Sequence, residues 1–172
     1  MKTFSNIKEY NSKKSVVTIG TFDGVHIGHK KILERIIFNA KELNCESVVL
    51  TFFPHPRMVL QDNSVVQLLN TVDEKTILLE KTGIDNLIIH PFNQEFSRLT
   101  AEEFVKEILV NQLNIRKIII GYDHRFGRNR TANINDLIVF GKEYGFEVEQ
   151  ISAQEINDNA VSSTKIRNAI LE

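Results

Sequence analysis

The stretch Thr18-Ile19-Gly20-Thr21-Phe22-Asp23-Gly24-Val25-His26-Ile27-Gly28-His29 decides the fold. It ends an apolar run, turns on glycines and enters an apolar pattern of helical spacing, which predicts a strand, a tight turn and a helix. Glycine lets a backbone approach a ligand closely, and the free N–H groups at a helix start attract phosphate. His26 and His29 are three residues apart and would share one helix face. The stretch therefore predicts a phosphate-binding turn.

Five apolar runs are predicted to be strands. Four are almost continuous in Val, Ile, Leu and Phe, which is typical of strands buried on both faces of a parallel sheet. The fifth alternates apolar with charged residues, as an edge strand does. The runs are Ser15–Ile19, Val48–Phe53, Leu87–His90, Lys117–Ile120 and Phe146–Ile151.

Helical patterns fill the intervals between these runs. Apolar residues recur at helical spacing over Ile32–Ala40, and capping boxes that begin at Thr71 and Thr100 precede two further helices. Asn135–Tyr144 and Ser162–Leu171 are predicted to be helices as well. The alternation of strand and helix predicts one α/β domain over residues 1–172, with helices on both faces of a doubly wound, Rossmann-like sheet of five parallel strands.

Composition excludes several classes of protein. The chain has 172 residues, of which 42% are hydrophobic, enough for one buried core. Its 21 basic and 22 acidic residues give a net charge of −1, which argues against a nucleic-acid partner. No apolar run has the length of a membrane span or of a signal peptide core. The single cysteine excludes an internal disulfide. We therefore expect a cytoplasmic enzyme or binding domain without a membrane partner.

A second phosphate-binding pattern follows the fifth strand. Val161-Ser162-Ser163-Thr164-Lys165-Ile166-Arg167 starts a predicted helix whose free N–H groups and hydroxyls can hold phosphate oxygens. Arg167 lies four residues after Ser163, so both can face one ligand, and its planar guanidinium matches phosphate. Taken alone, the pattern also suits a capped terminal helix with a solvated arginine.

The histidine pair is open to more than one interpretation. Beside a phosphate, two imidazoles can donate hydrogen bonds to oxygens that gain charge during phosphoryl or nucleotidyl transfer. The pair can instead belong to a hydrogen-bonded helix start or bind a metal ion, although no third ligand of the HExxH type is present. The glycine spacing matches neither a P-loop nor a dinucleotide fingerprint.

The string GTFDGVHIGH at 20–29 resembles the HxGH motif of the nucleotidylyltransferase superfamily and, within it, the FMN adenylyltransferase module of bacterial FAD synthetases. SSTKIR at 162–167 is similar to the second signature of the superfamily, which grips the β- and γ-phosphates of ATP. The resemblance implies a HUP-type sheet of order 3-2-1-4-5 and an ATP site formed by both segments. It implies that His26, His29 and Arg167 are catalytic. The implied ATP-binding residues are Gly20, Thr21, Phe22, Asp23, Gly24, His26, His29, Ser162, Ser163, Thr164 and Arg167.

Two further strings resemble flavin-binding segments of the same family. Phe52-Phe53-Pro54-His55-Pro56 is similar to an FxPHP stretch, and the sequence from Gly121 to Arg130 is similar to GxDFRFGxxR, with His124 in place of the usual Phe. Arg125 or Arg128 would attract the FMN phosphate. Taken alone, the segments also suit a rigid surface loop and a solvated basic loop or small RNA-binding patch. The implied flavin-binding residues are Phe52, Phe53, Pro54, His55, Pro56, Asp123, Arg125 and Phe126.

The resemblance implies transfer of AMP from ATP to the phosphate of FMN, giving FAD and pyrophosphate by direct in-line attack. Mg²⁺ would accompany ATP without a dedicated protein site, with Asp23 as a candidate ligand. Bifunctional members of the family carry a riboflavin kinase domain, which we expect to be absent from this chain but which would be a partner in a longer one. The alternatives are a nucleotidylyltransferase that uses CTP or another acceptor, and a non-catalytic flavin or nucleotide sensor.

Overall fold

A computed structural model describes residues 1–11, 13–61, 65–156 and 161–172. Its sheet consists of β1 (Lys2–Phe4), β2 (Ser15–Ile19), β3 (Glu46–Phe53), β4 (Asn86–Pro91), β5 (Ile115–Gly121) and β6 (Glu147–Ile151). The helices are α1 (Ile27–Glu42), α2 (Pro56–Leu60), α3 (Val72–Glu80), α4 (Gln94–Ser97), α5 (Ala101–Glu103), α6 (Ile134–Tyr144), α7 (Ala153–Ile156) and α8 (Ser163–Leu171). A π-helix over Phe104–Gln112 continues α5, and single 3₁₀ turns occupy Ile7–Glu9 and Arg128–Arg130.

The six strands lie in the order β1-β4-β3-β2-β5-β6, and all neighbours are parallel. The sheet has six strands rather than the predicted five, and its full order differs from 3-2-1-4-5 because β1 adds an edge strand beside β4. The five predicted strands, β2 to β6, keep the predicted order relative to one another. β1 has only three residues, too few to show a periodic pattern. β2 and β5 are neighbours, and the connections that leave them run in opposite directions across the sheet, from β2 to β3 and from β5 to β6. Ligands of open α/β sheets bind at such a point, beyond the carboxyl ends of the strands.

Both faces of the sheet are buried, which explains the continuous apolar strands. Successive residues of a strand point to opposite faces. Val16 therefore packs in one cluster with Leu33 of α1 and Leu79 of α3, whereas Val17 packs in a second cluster with Leu109 of the π-helix. The two layers of helices cover the faces of the sheet and leave its carboxyl edge to the loops.

Local sequence signals set most of the helix ends. Thr71 and Glu74 form the predicted capping box at the start of α3. Gly145 ends α6 in a left-handed conformation with φ of 84°. Thr100 accepts a hydrogen bond from the Glu103 N–H at 3.1 Å, as predicted, but the helix then widens into the π-helix. In the part of the chain that the structure describes, no helix is both long and apolar enough to cross a membrane.

Candidate active site

The turn between β2 and α1 presents both histidines at the carboxyl edge of the sheet. Phe22, Gly24 and Val25 adopt positive φ angles of 50°, 85° and 40°. A positive φ is rare for a β-branched residue, and such strained residues cluster at functional sites. Glycine suits position 24 because its φ of 85° strains other residues, and a Cβ there would also lie 2.7 Å from the Cδ1 atom of Leu69, whose side chain would have to move. The turn thus has an unusual backbone conformation that the surrounding structure must hold.

The two imidazoles lie against each other at the start of α1. His26 caps the helix, its Nδ1 accepting a hydrogen bond from the His29 N–H at 3.4 Å. The ring centroids are 3.6 Å apart with an interplanar angle of 20°. The ring of Phe22 meets the His29 ring edge-on, with centroids 5.1 Å apart. The two rings therefore form a stacked pair at the N-terminal end of α1.

His29 is neutral at neutral pH. Burial, and to a smaller extent the neighbouring His26, lowers the pKa of His29 to about 3. The Nδ1 atom of His29 is buried and has no hydrogen-bond partner among the described residues. A neutral imidazole carries one N–H, so this ring can donate to an anionic oxygen without bringing a charge of its own.

Asp23 joins three segments that are distant in sequence. Its side chain is buried, with the residue 4% exposed. The carboxylate accepts hydrogen bonds from the Leu69 and Asn70 N–H groups, at 2.9 and 3.3 Å to Oδ1, and pairs with Arg167 of α8 at 2.5 Å. The Ser163 hydroxyl donates to the Asp23 carbonyl at 2.8 Å. The turn after β2, the segment before α3 and the start of α8 therefore meet at one residue.

The start of α8 lies against the histidine turn. Ser162 caps the helix by accepting a hydrogen bond from the Lys165 N–H at 3.1 Å, while Thr164 is exposed. The Nη2 atom of Arg167 is committed to Asp23, but its buried Nε has no partner among the described residues. The predicted C-terminal phosphate site and the predicted histidine site are thus parts of one surface.

Unpartnered buried polar atoms mark the same edge of the sheet. Such atoms are uncommon in proteins, and each needs an explanation. Within the described ranges they are His29 Nδ1, Asn70 Oδ1, His124 Nε2 and Arg167 Nε. His29 and Arg167 belong to the predicted ATP site, and His124 lies in the predicted flavin loop. Asn70 was not predicted, because a single asparagine before a helix cap has no distinguishing pattern.

The segment after β3 is partly apolar and exposed. Phe52 packs on Phe92 and Phe96, with centroid distances of 5.5 and 5.4 Å. Phe53 is 49% exposed and lines a cavity of about 640 Å³ together with residues 68–74. Phe53 therefore presents an exposed ring on this segment, whereas Phe52 belongs to an aromatic cluster.

The Pro54-His55-Pro56 stretch runs from Phe53 into α2. His55 caps α2 by accepting a hydrogen bond from the Arg57 N–H at 3.1 Å, and the Phe53–Pro54 peptide bond is cis. Burial lowers the pKa of His55, and the charge of nearby Arg167 lowers this pKa further. The stretch thus brings a third histidine close to the Asp23–Arg167 pair.

The loop after β5 is anchored by its middle residues. Phe126 is 7% exposed, and its ring lies 6.0 Å from that of Phe104. Gly127 has φ of 76°, and a Cβ there would lie 2.9 Å from the Ala101 backbone. The structure leaves Asp123 and Arg125 exposed, so of the predicted flavin contacts on this loop only Phe126 lies in the core.

Lys75 of α3 is a further buried polar residue of the site. It is 8% exposed, and its Nζ donates to the Thr21 carbonyl at 3.0 Å and to the Thr51 hydroxyl at 3.3 Å. Burial lowers the pKa of Lys75, and the carboxylate of Asp23 opposes that shift. Sequence reasoning missed Lys75, because a lysine in the second turn of a capped helix usually faces solvent.

The described residues contain no group of three or more His, Cys, Asp and Glu side chains that could hold a metal ion. The predicted metal candidate, Asp23, already uses both carboxylate oxygens to accept hydrogen bonds from N–H groups, including one from the guanidinium of Arg167. Such a carboxylate does not fit a direct metal ligand, but it does orient the arginine.

The fold and the candidate site define a class of protein: an α/β domain in which two predicted phosphate-binding motifs meet at the carboxyl edge of a parallel sheet. The sequence model of the family described as FAD synthetase matches residues 8–165. The chain therefore belongs to the FAD synthetase family, which confirms the resemblance found in its motifs.

Named relatives agree with this membership. The chain is 41% identical over 168 residues to a bifunctional riboflavin kinase/FMN adenylyltransferase of Buchnera aphidicola subsp. Schizaphis graminum, an alignment that covers 97% of this chain and 54% of the relative. The protein of the same name from Escherichia coli K12 is 30% identical over 167 residues, covering 97% and 53%. The chain thus spans about half the length of the curated relatives that it matches.

A solved structure shares the fold. It is described as a macrolide-efflux protein from Streptococcus pneumoniae and matches with a TM-score of 0.76 and 27% identity. The match covers 88% of this chain and 50% of that one.

Proposed function

We propose that this chain transfers AMP from ATP to the phosphate of FMN, forming FAD and pyrophosphate. Family membership and the names of the relatives support this reaction. The observation that carries the proposal is the junction at Asp23, which brings the stacked histidines and Arg167 into one site.

In this proposal an oxygen of the FMN phosphate forms a bond to the α-phosphorus of ATP. The bond from that phosphorus to the oxygen bridging to the β-phosphate breaks, and its electron pair leaves with pyrophosphate. Both reactants are anions, so the protein mainly aligns them and stabilises the charge that develops. No nucleophile from the protein is needed.

His26 and His29 are the groups proposed to contact the α-phosphate. The low pKa of His29 keeps its ring neutral, so its N–H can strengthen a hydrogen bond as charge builds on the phosphate oxygen. Gly20 and Gly24 would allow the turn backbone, with Thr21, to approach the nucleotide closely. Phe22 would act through its edge contact with the His29 ring.

The start of α8 is proposed to hold the β- and γ-phosphates and to stabilise the leaving pyrophosphate. The N–H groups of the first turn, which includes Ser163 and Thr164, attract anions. Ser162 holds the helix start in place through its cap. Asp23 fixes one end of the Arg167 guanidinium, which directs the unpartnered Nε to a ligand oxygen.

FMN is proposed to lie where the segments after β3 and β5 flank the histidine turn. The exposed ring of Phe53, beside Phe52 and Pro54, suits the flat isoalloxazine. His55 and Pro56 continue this wall towards Arg167, and Asp123 and Arg125 contribute polar groups from the other side. Phe126 would support that loop from the core.

Mg²⁺ is proposed to arrive with ATP and to neutralise part of the phosphate charge. Phosphate oxygens would supply most of its ligands, because Asp23 is committed to N–H donors. We place the reaction in the cytoplasm, with no nucleic acid or membrane as a partner.

A product assay tests this function. The protein is mixed with ATP, FMN and Mg²⁺, and FAD and pyrophosphate are measured by chromatography and a coupled phosphate assay. We expect the two products in equal amounts. Parallel reactions replace ATP with CTP, and FMN with pantetheine phosphate. Product in those reactions and none with ATP and FMN would assign a different transferase, and FMN binding without turnover would assign a sensor.

A further inference from the structure

We infer that Lys75 is a positioning residue for the histidine turn: its ammonium group holds the carbonyl of Thr21 and thereby sets the backbone that presents His26 and His29. The inference deepens the proposed function, on which its kinetic readout rests. Lys75 lies in α3, and its ammonium group is buried beneath the turn.

Both hydrogen bonds of Lys75 go to neutral oxygen atoms. Its Nζ donates to the Thr21 carbonyl at 3.0 Å and to the Thr51 hydroxyl at 3.3 Å. The Thr51 hydroxyl in turn donates to the same Thr21 carbonyl at 3.3 Å. A side chain from α3 and another from β3 thus converge on one carbonyl of the turn.

The burial of this lysine is costly, and simple packing does not explain it. An ammonium group loses hydration when it is buried, whereas an apolar side chain of similar size would fill the space without that loss. The carboxylate of Asp23 lies close enough to favour the charged form of Lys75. We therefore assign the charged donor the role of holding the Thr21 carbonyl in place.

The Thr21 carbonyl precedes the strained part of the turn. Phe22, Gly24 and Val25, the residues with positive φ, follow within four positions. Strained backbone persists only when surrounding groups hold it. Phe22 also contacts the His29 ring, so a shift at Thr21 passes directly to the histidine pair. Two contacts hold this turn. Lys75 binds the Thr21 carbonyl, and the carboxylate of Asp23, which belongs to the turn, binds Leu69 and Arg167.

The test compares Lys75→Met with Lys75→Arg, and uses Lys81→Met as the control on an exposed position just beyond α3. Each variant is assayed for FAD formation from ATP and FMN, for thermal unfolding, and for the ¹⁵N shifts of its histidine imidazoles. We expect Lys75→Met to lower kcat by about 10- to 100-fold, since small misplacements of reacting groups cost this much. The imidazole signals of His26 and His29 should move, and Lys75→Arg should restore part of kcat. Lys81→Met should match the parent chain.

A purely structural role predicts a different result. Lys75→Met would then unfold at a lower temperature but keep the kcat and the imidazole shifts of the parent, which would overturn the inference. If Lys75→Met does not fold, Lys75→Gln decides, since its shorter, uncharged amide replaces the ammonium group on the Thr21 carbonyl: unchanged kcat and imidazole shifts would refute the inference. Should the parent chain form no FAD, the proposed function fails, and the imidazole shifts alone still decide the role of Lys75.

Discussion

Replacing Asp23 with asparagine should separate the two halves of the site while changing only one functional group. The carboxylate accepts two backbone N–H groups, from Leu69 and Asn70, and one guanidinium N–H, from Arg167. The amide of asparagine has one acceptor oxygen and no charge. The substitution therefore leaves the largely buried Arg167 side chain beside an uncharged group.

The size of the effect follows from these contacts. Hydrogen bonds to charged groups contribute about 1.5–3 kcal/mol and neutral ones about 1 kcal/mol, and removing one partner of a buried ion pair costs about 3–5 kcal/mol. Because asparagine keeps part of the hydrogen bonding, we expect the free energy of unfolding to fall by about 3 kcal/mol. For a domain of this size that corresponds to a decrease in Tm of about 6–12 °C.

Activity should fall along with stability. Without its partner the Arg167 guanidinium is no longer aimed at the phosphates, and the loss of one well-placed donor typically costs about 10²-fold in kcat. Calorimetry and the FAD assay, performed well below the lowered Tm, measure the two effects separately. Glu80→Gln, at an exposed position of α3, is the control for loss of a carboxylate. If Asp23→Asn had the Tm and kcat of the control, the junction at Asp23 would not hold the site together.

Three further predictions follow from the structure. His29→Ala should lower kcat by about 10²–10³-fold with the fold intact, and near-normal turnover would remove this imidazole from the mechanism. Gly127→Ala should weaken FMN binding about tenfold while ATP binding changes little, because a Cβ would meet the Ala101 backbone at 2.9 Å; equal titration curves for FMN would refute the role of the loop. The pKa of His29 is lowered to about 3 and that of His124 to about 4. The unfolded chain binds these protons from about pH 6.5 downwards, so the free energy of unfolding should fall as the pH drops from about 6.5 towards 4, and urea unfolding at pH 7 and pH 5 measures that loss.

The motifs of the site could be predicted because each is a local pattern with its own physical reason. The glycines of the histidine turn, the serines before α8 and the capping box at Thr71 all act within a few residues of sequence. The continuous apolar strands likewise indicated a sheet covered on both faces. Patterns of this kind can be recognised in the sequence without knowledge of tertiary contacts.

The features that the sequence did not reveal depend on distant contacts. β1 is too short to show a periodic pattern, and it is a strand only because it pairs with β4 at the edge of the sheet. The helical spacing after Thr100 did not distinguish a π-helix from an α-helix. The burial of Lys75 and the use of Asp23 by Arg167 both arise from the packing of segments that are far apart in the chain.

The central claim is that the histidine pair and Arg167 bind the same polyphosphate. The most direct measurement titrates ¹⁵N-labelled protein with Mg²⁺ and an ATP analogue whose α- and β-phosphorus atoms are joined by a methylene group, so that no transfer occurs. NMR then follows the imidazole nitrogens of His26 and His29 and the Nε–H of Arg167. We expect the NMR signals of all three groups to shift with a single Kd. Shifts confined to the histidines or to Arg167, or two different Kd values, would contradict it.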